Sequence, residues 1–379
     1  MLFPTPSLRV EDRRVLDEIE VMRYELRHQV RSIPAKWTAG LRKFLTADAV
    51  AASNSIEGFR VSTVDVADLM EGEHDVEVSE ENREETLAYQ RMMTYIQTLH
   101  DVEDFSYGKG LLNGLHWMLQ GHRHKAGKLA GQWRKGPVYV TDTRDPSIAA
   151  YTAPDARDVP RLMAELVDWL NAADDGAHPL VRAAMAHLHL VSIHPWSDGN
   201  GRMSRSLQTL MIAREGVLAP EFSSIEAWLG RPGNTWEYYR ELGARGPTYR
   251  PDQDVAGWVR FNLVAYHQQA QTVRNRLERS GRVWTILADF VDGEPFDERV
   301  VSALHDVAMS GRVRRLRYEN AEGLSTQQAQ RDLRDLVAAR VLESVGRTRA
   351  RYYTAGPRFP QRALESARTP MSLADPYPA

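Results

Sequence analysis

Apolar positions recur three and four residues apart along most of this chain, the spacing of helices that bury one face. Val15, Leu16, Ile19 and Met22 mark such a face in an expected helix over 8–31, and a second is expected over 35–52 after Ile33-Pro34. Proline has no N–H and pushes the preceding residue out of helical backbone, so a break is expected there. A short helix follows over 61–70 with Ser62 as its cap, then an acidic, solvated connection over 71–82. Leu87, Met92, Met93, Ile96 and Leu99 define a helix over 80–100, and Leu111, Leu115, Met118 and Leu119 another over 106–121. The same spacing predicts helices over 158–172, 178–193, 202–214, 222–241 and 253–279.

Two regions depart from it. Residues 129–142, L-A-G-Q-W-R-K-G-P-V-Y-V-T-D, are punctuated by glycines and a proline around the β-prone Val138-Tyr139-Val140. Beyond 280, two short helical patterns over 283–308 flank a turn at Asp292-Gly293-Glu294-Pro295, and a basic run R-V-R-R-L-R occupies 312–317. An amphipathic helix over 325–340 precedes 341–354, where apolar and polar residues alternate around Gly346 as in a hairpin. The Pro- and Ala-rich tail after 361 is expected to be loosely ordered. The expected division is an N-terminal helical region 1–105, a core 106–280, a small domain 281–360 and the tail 361–379.

Composition changes this picture little. At 379 residues with a formal net charge of −3, nothing advertises nucleic acid or a membrane surface, and no run approaches a bilayer span. The chain has no cysteine, which excludes disulfides and thiolate zinc sites. Without a long apolar stretch near its start, a cytoplasmic location is the expectation. His187, His189 and His194 invite a metal-site reading, but residues two apart on a helix face different ways, so core roles are expected for the first two.

Candidate chemistry gathers at 194–205, H-P-W-S-D-G-N-G-R-M-S-R. Gly199, Asn200 and Gly201 precede a helix whose first N–H groups have no internal partner, which together make an anion nest. Arg202 and Arg205 share a face of the first turn and lean back over it. Asp198 at the rim suits a hard cation bridging phosphates, and His194 is placed as a base. Such a site favours a di- or triphosphate over a lone carboxylate.

This segment resembles the signature of Fic-domain proteins, H-x-F-x-(D/E)-G-N-G-R-x-x-R, with Trp196 standing where the family has Phe. The resemblance implies a mainly α fold: a Fic-type helical bundle with a β-hairpin flap. It implies transfer of AMP from ATP to a protein Ser, Thr or Tyr hydroxyl, including self-modification. In that mechanism His194 takes the hydroxyl proton and Asp198 holds Mg²⁺. Gly199, Asn200, Gly201 and Arg202 bind the phosphates, and Arg205 grips the γ-phosphate. Ser53, Glu57 and Gly58 fill the family's inhibitory motif (S/T)-x-x-x-E-(G/N), which implies restraint of Arg205 by Glu57. Pro137, Val138, Tyr139 and Val140 fall in the implied target-binding flap. Residues 281–360 resemble a winged helix-turn-helix, with Gln327, Gln328, Gln330 and Arg331 on a recognition helix and Arg347, Arg349 and Arg351 on a wing. The partners expected are ATP, a protein target, DNA or equally another protein through the C-terminal domain, and a second copy of the chain in a homodimer. Removal of AMP by water, and a DNA-binding regulator with a nucleotide-sensing core, are the alternative activities.

Overall fold

A computed structural model describes residues 1–32, 35–126, 129–141, 149–172, 176–347 and 351–377. The N-terminal helices are α1 (Val10–Ser32), α2 (Ala35–Ile56), α3 (Thr63–Met70) and α4 (Glu80–Leu99). The expected break at Ile33-Pro34 lies outside the described residues. Ser62 and Ser79 cap α3 and α4, each hydroxyl accepting from the backbone N–H three residues on. After α5 (Lys109–Gln120) and a 3₁₀ turn, two strands form an antiparallel hairpin, β1 (Tyr139–Thr141) and β2 (Ala149–Thr152). The central pair follows, α6 (Val159–Asn171) leading to α7 (Pro179–Ile193) and α8 (Asn200–Arg214). Every α7 residue from Leu180 to Ile193 except Arg182 is buried, and α8 is buried almost throughout. Helices covered on all sides sit at the centre of a bundle. The loop that joins them, residues 194–199, is therefore anchored in the core at both ends.

The helix expected over 222–241 is three pieces: α9 (Pro220–Ser223), α10 (Glu226–Leu229) and α11 (Pro232–Gly243). Pro232 opens the last piece, and Gly230 before it lies so close to α2 that a Cβ there would come within 2.6 Å of Ala52 Cβ. The helix expected to end at 279 instead runs on as α12 (Ala256–Asp292). Val283, Leu287 and Val291 continue the apolar spacing with no proline to stop it, so α12 crosses the expected boundary at 280–281 and carries both parts of the chain.

The C-terminal part adds α13 (Val300–Ser310), α14 (Arg315–Glu322), α15 (Thr326–Ala338), the hairpin β3 (Leu342–Val345) and β4 (Tyr352–Ala355), and α16 (Gln361–Arg368). Val313 pairs antiparallel with Tyr353, adding a third short stretch to the hairpin. These elements enclose a core of their own, built on Leu287, Leu304, Leu333 and Leu342. The tail is ordered, contrary to expectation. Ala363 is buried, Tyr377 donates to Asp12 Oδ1 at 2.9 Å, and Ala374 N donates to Gln271 at 2.8 Å. The apolar face of α16 and these polar anchors are spaced too sparsely for composition to reveal. The basic run 312–317 is spent on carboxylates. Arg312 pairs with Asp65 and Asp68 of α3, Arg314 with Asp68, Arg315 with Glu319 and Arg317 with Asp306. No helix among the described residues is long and apolar enough to cross a membrane.

Candidate active site

His194 ends α7 in the left-handed region, at φ 51° and ψ 59°, a backbone conformation that costs a non-glycine residue energy. Arg134 holds it there. Its N–H donates to Pro195 O at 2.8 Å and its Nε to His194 O at 2.8 Å, while Nη1 and Nη2 reach Gly136 O and Pro154 O. One guanidinium thus ties the hairpin segment to the 194–199 loop. His194 Nδ1 lies 3.1 Å from Val191 O, so Nδ1 carries the hydrogen and Nε2 keeps its lone pair. Burial lowers the imidazole's pKa and Arg134 adds to this, against the opposing pull of Val191 O, Glu57 and Asp198. The ring is held as a neutral base.

Trp196 is fully buried in the main core and donates from Nε1 to Asn113 at 3.0 Å. His116 stacks on it, with ring centroids 4.6 Å apart and planes 4° from parallel. His116 accepts from Gly131 N at 2.8 Å through Nδ1 and donates to Asp198 O at 3.0 Å through Nε2. Burial pushes its pKa down to about 4, which fixes that neutral tautomer. The larger Trp therefore seats the loop in place of Phe. Asn200 seats it too, since its Oδ1 accepts from Trp196 N at 3.0 Å and its Nδ2 donates to Trp196 O at 2.9 Å. That side chain braces the loop, leaving the Asn200 backbone to the nest.

Gly199 adopts φ 75° at the start of α8, and a Cβ there would lie 3.1 Å from Gln120 Nε2 and Leu119. Asp198 Oδ1 accepts from Gly199 N at 2.7 Å, which turns the carboxylate toward the rim. Among the described residues no group of three or more His, Asp or Glu side chains is arranged for a metal ion. A single carboxylate fits Mg²⁺ only as a shared ligand, with phosphate oxygens and waters completing the shell.

Arg202 and Arg205 of α8 are each 1% exposed and face carboxylates from the N-terminal part of the chain. Arg205 Nη2 donates to Glu57 Oε1 at 2.7 Å and to Ser53 O at 3.1 Å, and its Nε donates to Ser53 Oγ at 2.8 Å. Burial works against the charge on Arg205, but Glu57 and nearby Tyr and Glu groups leave its pKa raised. Glu57 lies at the C-terminal end of α2, where Gly58 takes φ 92° and Tyr239 donates to Ile56 O at 3.0 Å. Its Oε1 sits 2.5 Å from the position a Cβ on Gly201 would take. Only glycine at 201 admits the carboxylate to the first turn of α8.

Arg202 pairs with Glu85 of α4 and donates to Asn54 at 3.3 Å. Glu85 is fully buried and also meets His122 and Arg123. Burial alone would raise its pKa, but His122, Arg202 and Arg123 together hold the carboxyl below the ordinary range. Four buried donors at this place have no partner among the described residues: Arg202 Nε, Arg205 Nη1, Gln120 Nε2 and Asn54 Nδ2; the acceptor Gln120 Oε1 has none either. Unsatisfied buried donors are costly, and an anion is the natural acceptor for them.

The structure brings His194, Asp198, Gly199, Asn200, Gly201, Arg202, Arg205, Ser53, Glu57 and Gly58 to one place. Flap residues Pro137, Tyr139 and Val140 are exposed and Val138 is half-buried; β1 pairs with β2 from Tyr139↔Thr152 to Thr141↔Ala149. β2 also bridges Thr248, whereas the outer side of β1 has no strand partner among the described residues. Glu85, His116, Gln120, Arg123 and Arg134 were not legible as site residues, since each is an isolated polar residue far away in sequence. His187 and His189 are core residues. His187 bonds Gln208 and Tyr238, His189 packs between Phe3 and Trp169, and burial lowers both pKa values to about 3.

Comparison with known proteins agrees with this geometry. Residues 109–212 match the Fic/DOC family. The chain is 35% identical over 167 residues to the protein adenylyltransferase Fic of Culex quinquefasciatus, a match covering 43% of this chain and 31% of that protein. It is 29% identical over 217 residues to the protein of the same name from Nematostella vectensis, covering 56% and 47% respectively. This chain thus spans less than half the length of either curated relative. A Fic family protein from Desulfovibrio desulfuricans has a similar fold over 94% of this chain and 98% of its own, with a TM-score of 0.58 at 23% identity. Fic-1 from C. elegans covers 71% of this chain, and 73% of its own is covered, with a TM-score of 0.53 at 23% identity. The helical bundle around the 194–205 loop is a Fic fold, and the chain carries a Fic/DOC domain at residues 109–212.

Proposed function

We propose that this protein is an adenylyltransferase acting in the cytoplasm, moving AMP from ATP to a hydroxyl of a protein Ser, Thr or Tyr, itself included, and that Glu57 restrains it. The observation that carries the reading is a set of buried donors at the nest without a partner among the described residues, Arg202 Nε, Arg205 Nη1 and Gln120 Nε2, beside a histidine whose Nδ1 is bonded to Val191 O. The relatives' printed activity supports the same choice.

In this mechanism the acceptor segment lies along the free side of β1, by strand addition at Pro137–Val140. His194 Nε2 takes the hydroxyl proton as that oxygen attacks the α-phosphorus. The bond from the α-phosphorus to the bridging oxygen breaks, and pyrophosphate leaves. Gly199–Gly201 N–H groups and Arg202 meet the charge that builds up, and Arg205 holds the γ-phosphate. Asp198 would hold Mg²⁺, which would supply further charge neutralisation when bound. The same groups serve the reverse reaction, with water as the nucleophile.

Incubation with α-labelled ATP and Mg²⁺ is expected to label the purified protein itself, or a protein of a cell lysate beyond what the lysate labels alone, and γ-labelled ATP is expected to leave the purified protein unlabelled. Asp198→Asn should lower the rate by at least about tenfold and blunt its dependence on Mg²⁺. Label on the purified protein from γ-labelled ATP alone would show transfer of the terminal phosphate, and equal label from both forms would show ATP retained whole; either would overturn the proposal.

A second reading concerns the C-terminal domain. Gln327, Gln328, Gln330 and Arg331 of α15 are exposed together, as are Arg347 and Arg351 beside the hairpin, while Arg349 lies outside the described residues. We infer that this is a winged helix contacting duplex DNA through α15, because the exposed face is polar and basic where the buried one is apolar. Gln328 also closes a capping box with Ser325, which fixes the start of the helix. The full chain should shift duplex DNA at low salt, with affinity falling steeply as salt rises, and Arg331→Glu with Arg347→Glu should abolish the shift. An unaltered shift in that double variant would rule this face out.

A further inference from the structure

A cavity of about 420 Å³ lies between α2 and α3 on one side and the C-terminal helices on the other. That size falls within the roughly 300–1,000 Å³ of small-molecule sites. Its apolar walls come from Leu41 and Phe44 of α2, Met70 of α3, Trp284 of α12 and Met309 of α13. The Trp284 ring stands 5.5 Å from the His305 ring, and His305 bonds Ser280 Oγ at 2.9 Å, which fixes that wall.

Four cations line the cavity. Lys43 pairs with Glu71 at 2.7 Å, Arg276 with Asp48 at 2.7 Å and Arg317 with Asp306 at 2.7 Å. Arg279 differs. It donates from Nη2 to Thr369 O, its Nε has no partner, and it has no carboxylate partner among the described residues. Arg317 Nη1, also buried at this wall, is likewise without an acceptor among the described residues. Burial, with Arg276 and Arg282 nearby, lowers the pKa of Arg279, as expected of a cation short of a counter-charge. Glu71 and Asp306 of the lining are spent on Lys43 and Arg317, and Glu322 also faces the chamber. Arg279, however, pairs with no carboxylate among the described residues, and an apolar chamber with such a guanidinium suits an amphiphile bearing one negative group.

We propose that this cavity binds a small organic anion, an aromatic or branched-chain carboxylate, sulfonate or phosphate ester, with its charge on Arg279 and its body against Trp284 and Met309. Occupancy is sensed through α2. Ala39, Gly40, Leu41, Lys43 and Phe44 of that helix line the cavity, and its last turn carries Ser53 and hands over to Glu57. A ligand that shifts the near end of α2 moves the far end with it, because a continuous helix transmits displacement along its axis. This relay rests on the reading of Glu57 as a restraint; the binding site does not.

The test uses two dyes of nearly the same shape, 8-anilinonaphthalene-1-sulfonate and the neutral N-phenyl-1-naphthylamine, titrated by fluorescence into the full chain. The sulfonate should bind at least about tenfold more tightly than the neutral dye, the equivalent of one charge-assisted contact. Arg279→Gln should remove that advantage, and Ser302→Trp, which fills the cavity from α13, should remove both dyes. Thermal melts matching wild type would establish that the variants are folded. Equal affinity for the two dyes, or sulfonate binding untouched by both substitutions, would overturn the site. With label transfer as the readout, the sulfonate should change the rate of wild type but not of Glu57→Gly. A change in both proteins, or in neither, would sink the relay through α2. If Glu57→Gly transferred no faster than wild type, the restraint would fail while the dye titrations still decided the cavity.

Discussion

Glu57→Gly is expected to raise AMP transfer, self-labelling included, by roughly a hundredfold, equivalent to removing about 2.7 kcal/mol of bias toward the restrained arrangement. The Glu57 carboxylate now occupies the first turn of α8 against Gly201 and takes the Nη2 hydrogen bond of Arg205 at 2.7 Å. Removing it leaves Arg205 in place, because Ser53 still accepts from Nε at 2.8 Å and from Nη2 at 3.1 Å. Ser53 is itself bonded to Tyr89 at 3.0 Å, which pairs with buried Glu226, so the guanidinium remains pre-positioned for phosphate. Glu57→Gln separates shape from charge: it keeps the bulk but weakens the pairing, and its rate should fall between the two. Arg205→Ala should not activate, since it deletes the phosphate ligand along with the lock. Initial rates at matched ATP decide the matter. Equal rates for wild type and Glu57→Gly would return Glu57 to a structural role.

The helical character and the loop at 194–205 were readable because both are local. A three-and-four spacing of apolar residues reports a helix wherever it falls, and the nest requires consecutive residues in a fixed order. What the chain hides is long-range pairing. Glu85 looks like one acid among several on α4, yet it is fully buried under Arg202, Arg123 and His122. Arg134 reads as a flap residue and turns out to clamp the backbone of His194 and Pro195. The run at 312–317 looks like a basic surface, but Asp65, Asp68, Asp306 and Glu319 consume it, which no local rule anticipates. The boundary expected at 280–281 failed to interrupt α12 for a related reason: Gly281 weakens a helix but does not stop one whose two halves each pack on a core.

Replacing His194 should lower transfer by about 10²–10⁴-fold while nucleotide binding is largely kept, because a general base acts on the transition state more than on bound ATP. The choice of substituent matters here. His194 sits at φ 51°, so His194→Ala would mix loss of the base with backbone strain. His194→Asn tolerates that conformation and cannot serve as the base, which makes it the cleaner variant. Arg134 would still hold the loop through His194 O, a main-chain atom unaffected by the substitution. The pH profile gives an independent reading. Burial lowers the imidazole's pKa below its ordinary value of about 6.5, so the neutral, proton-accepting form is the majority species at neutral pH. Wild-type transfer should therefore stay level as pH falls through neutrality and decline only below the ordinary histidine range. That acid limb should vanish from the residual rate of His194→Asn. Its persistence, or transfer by His194→Asn at wild-type speed, would remove His194 from the role of base.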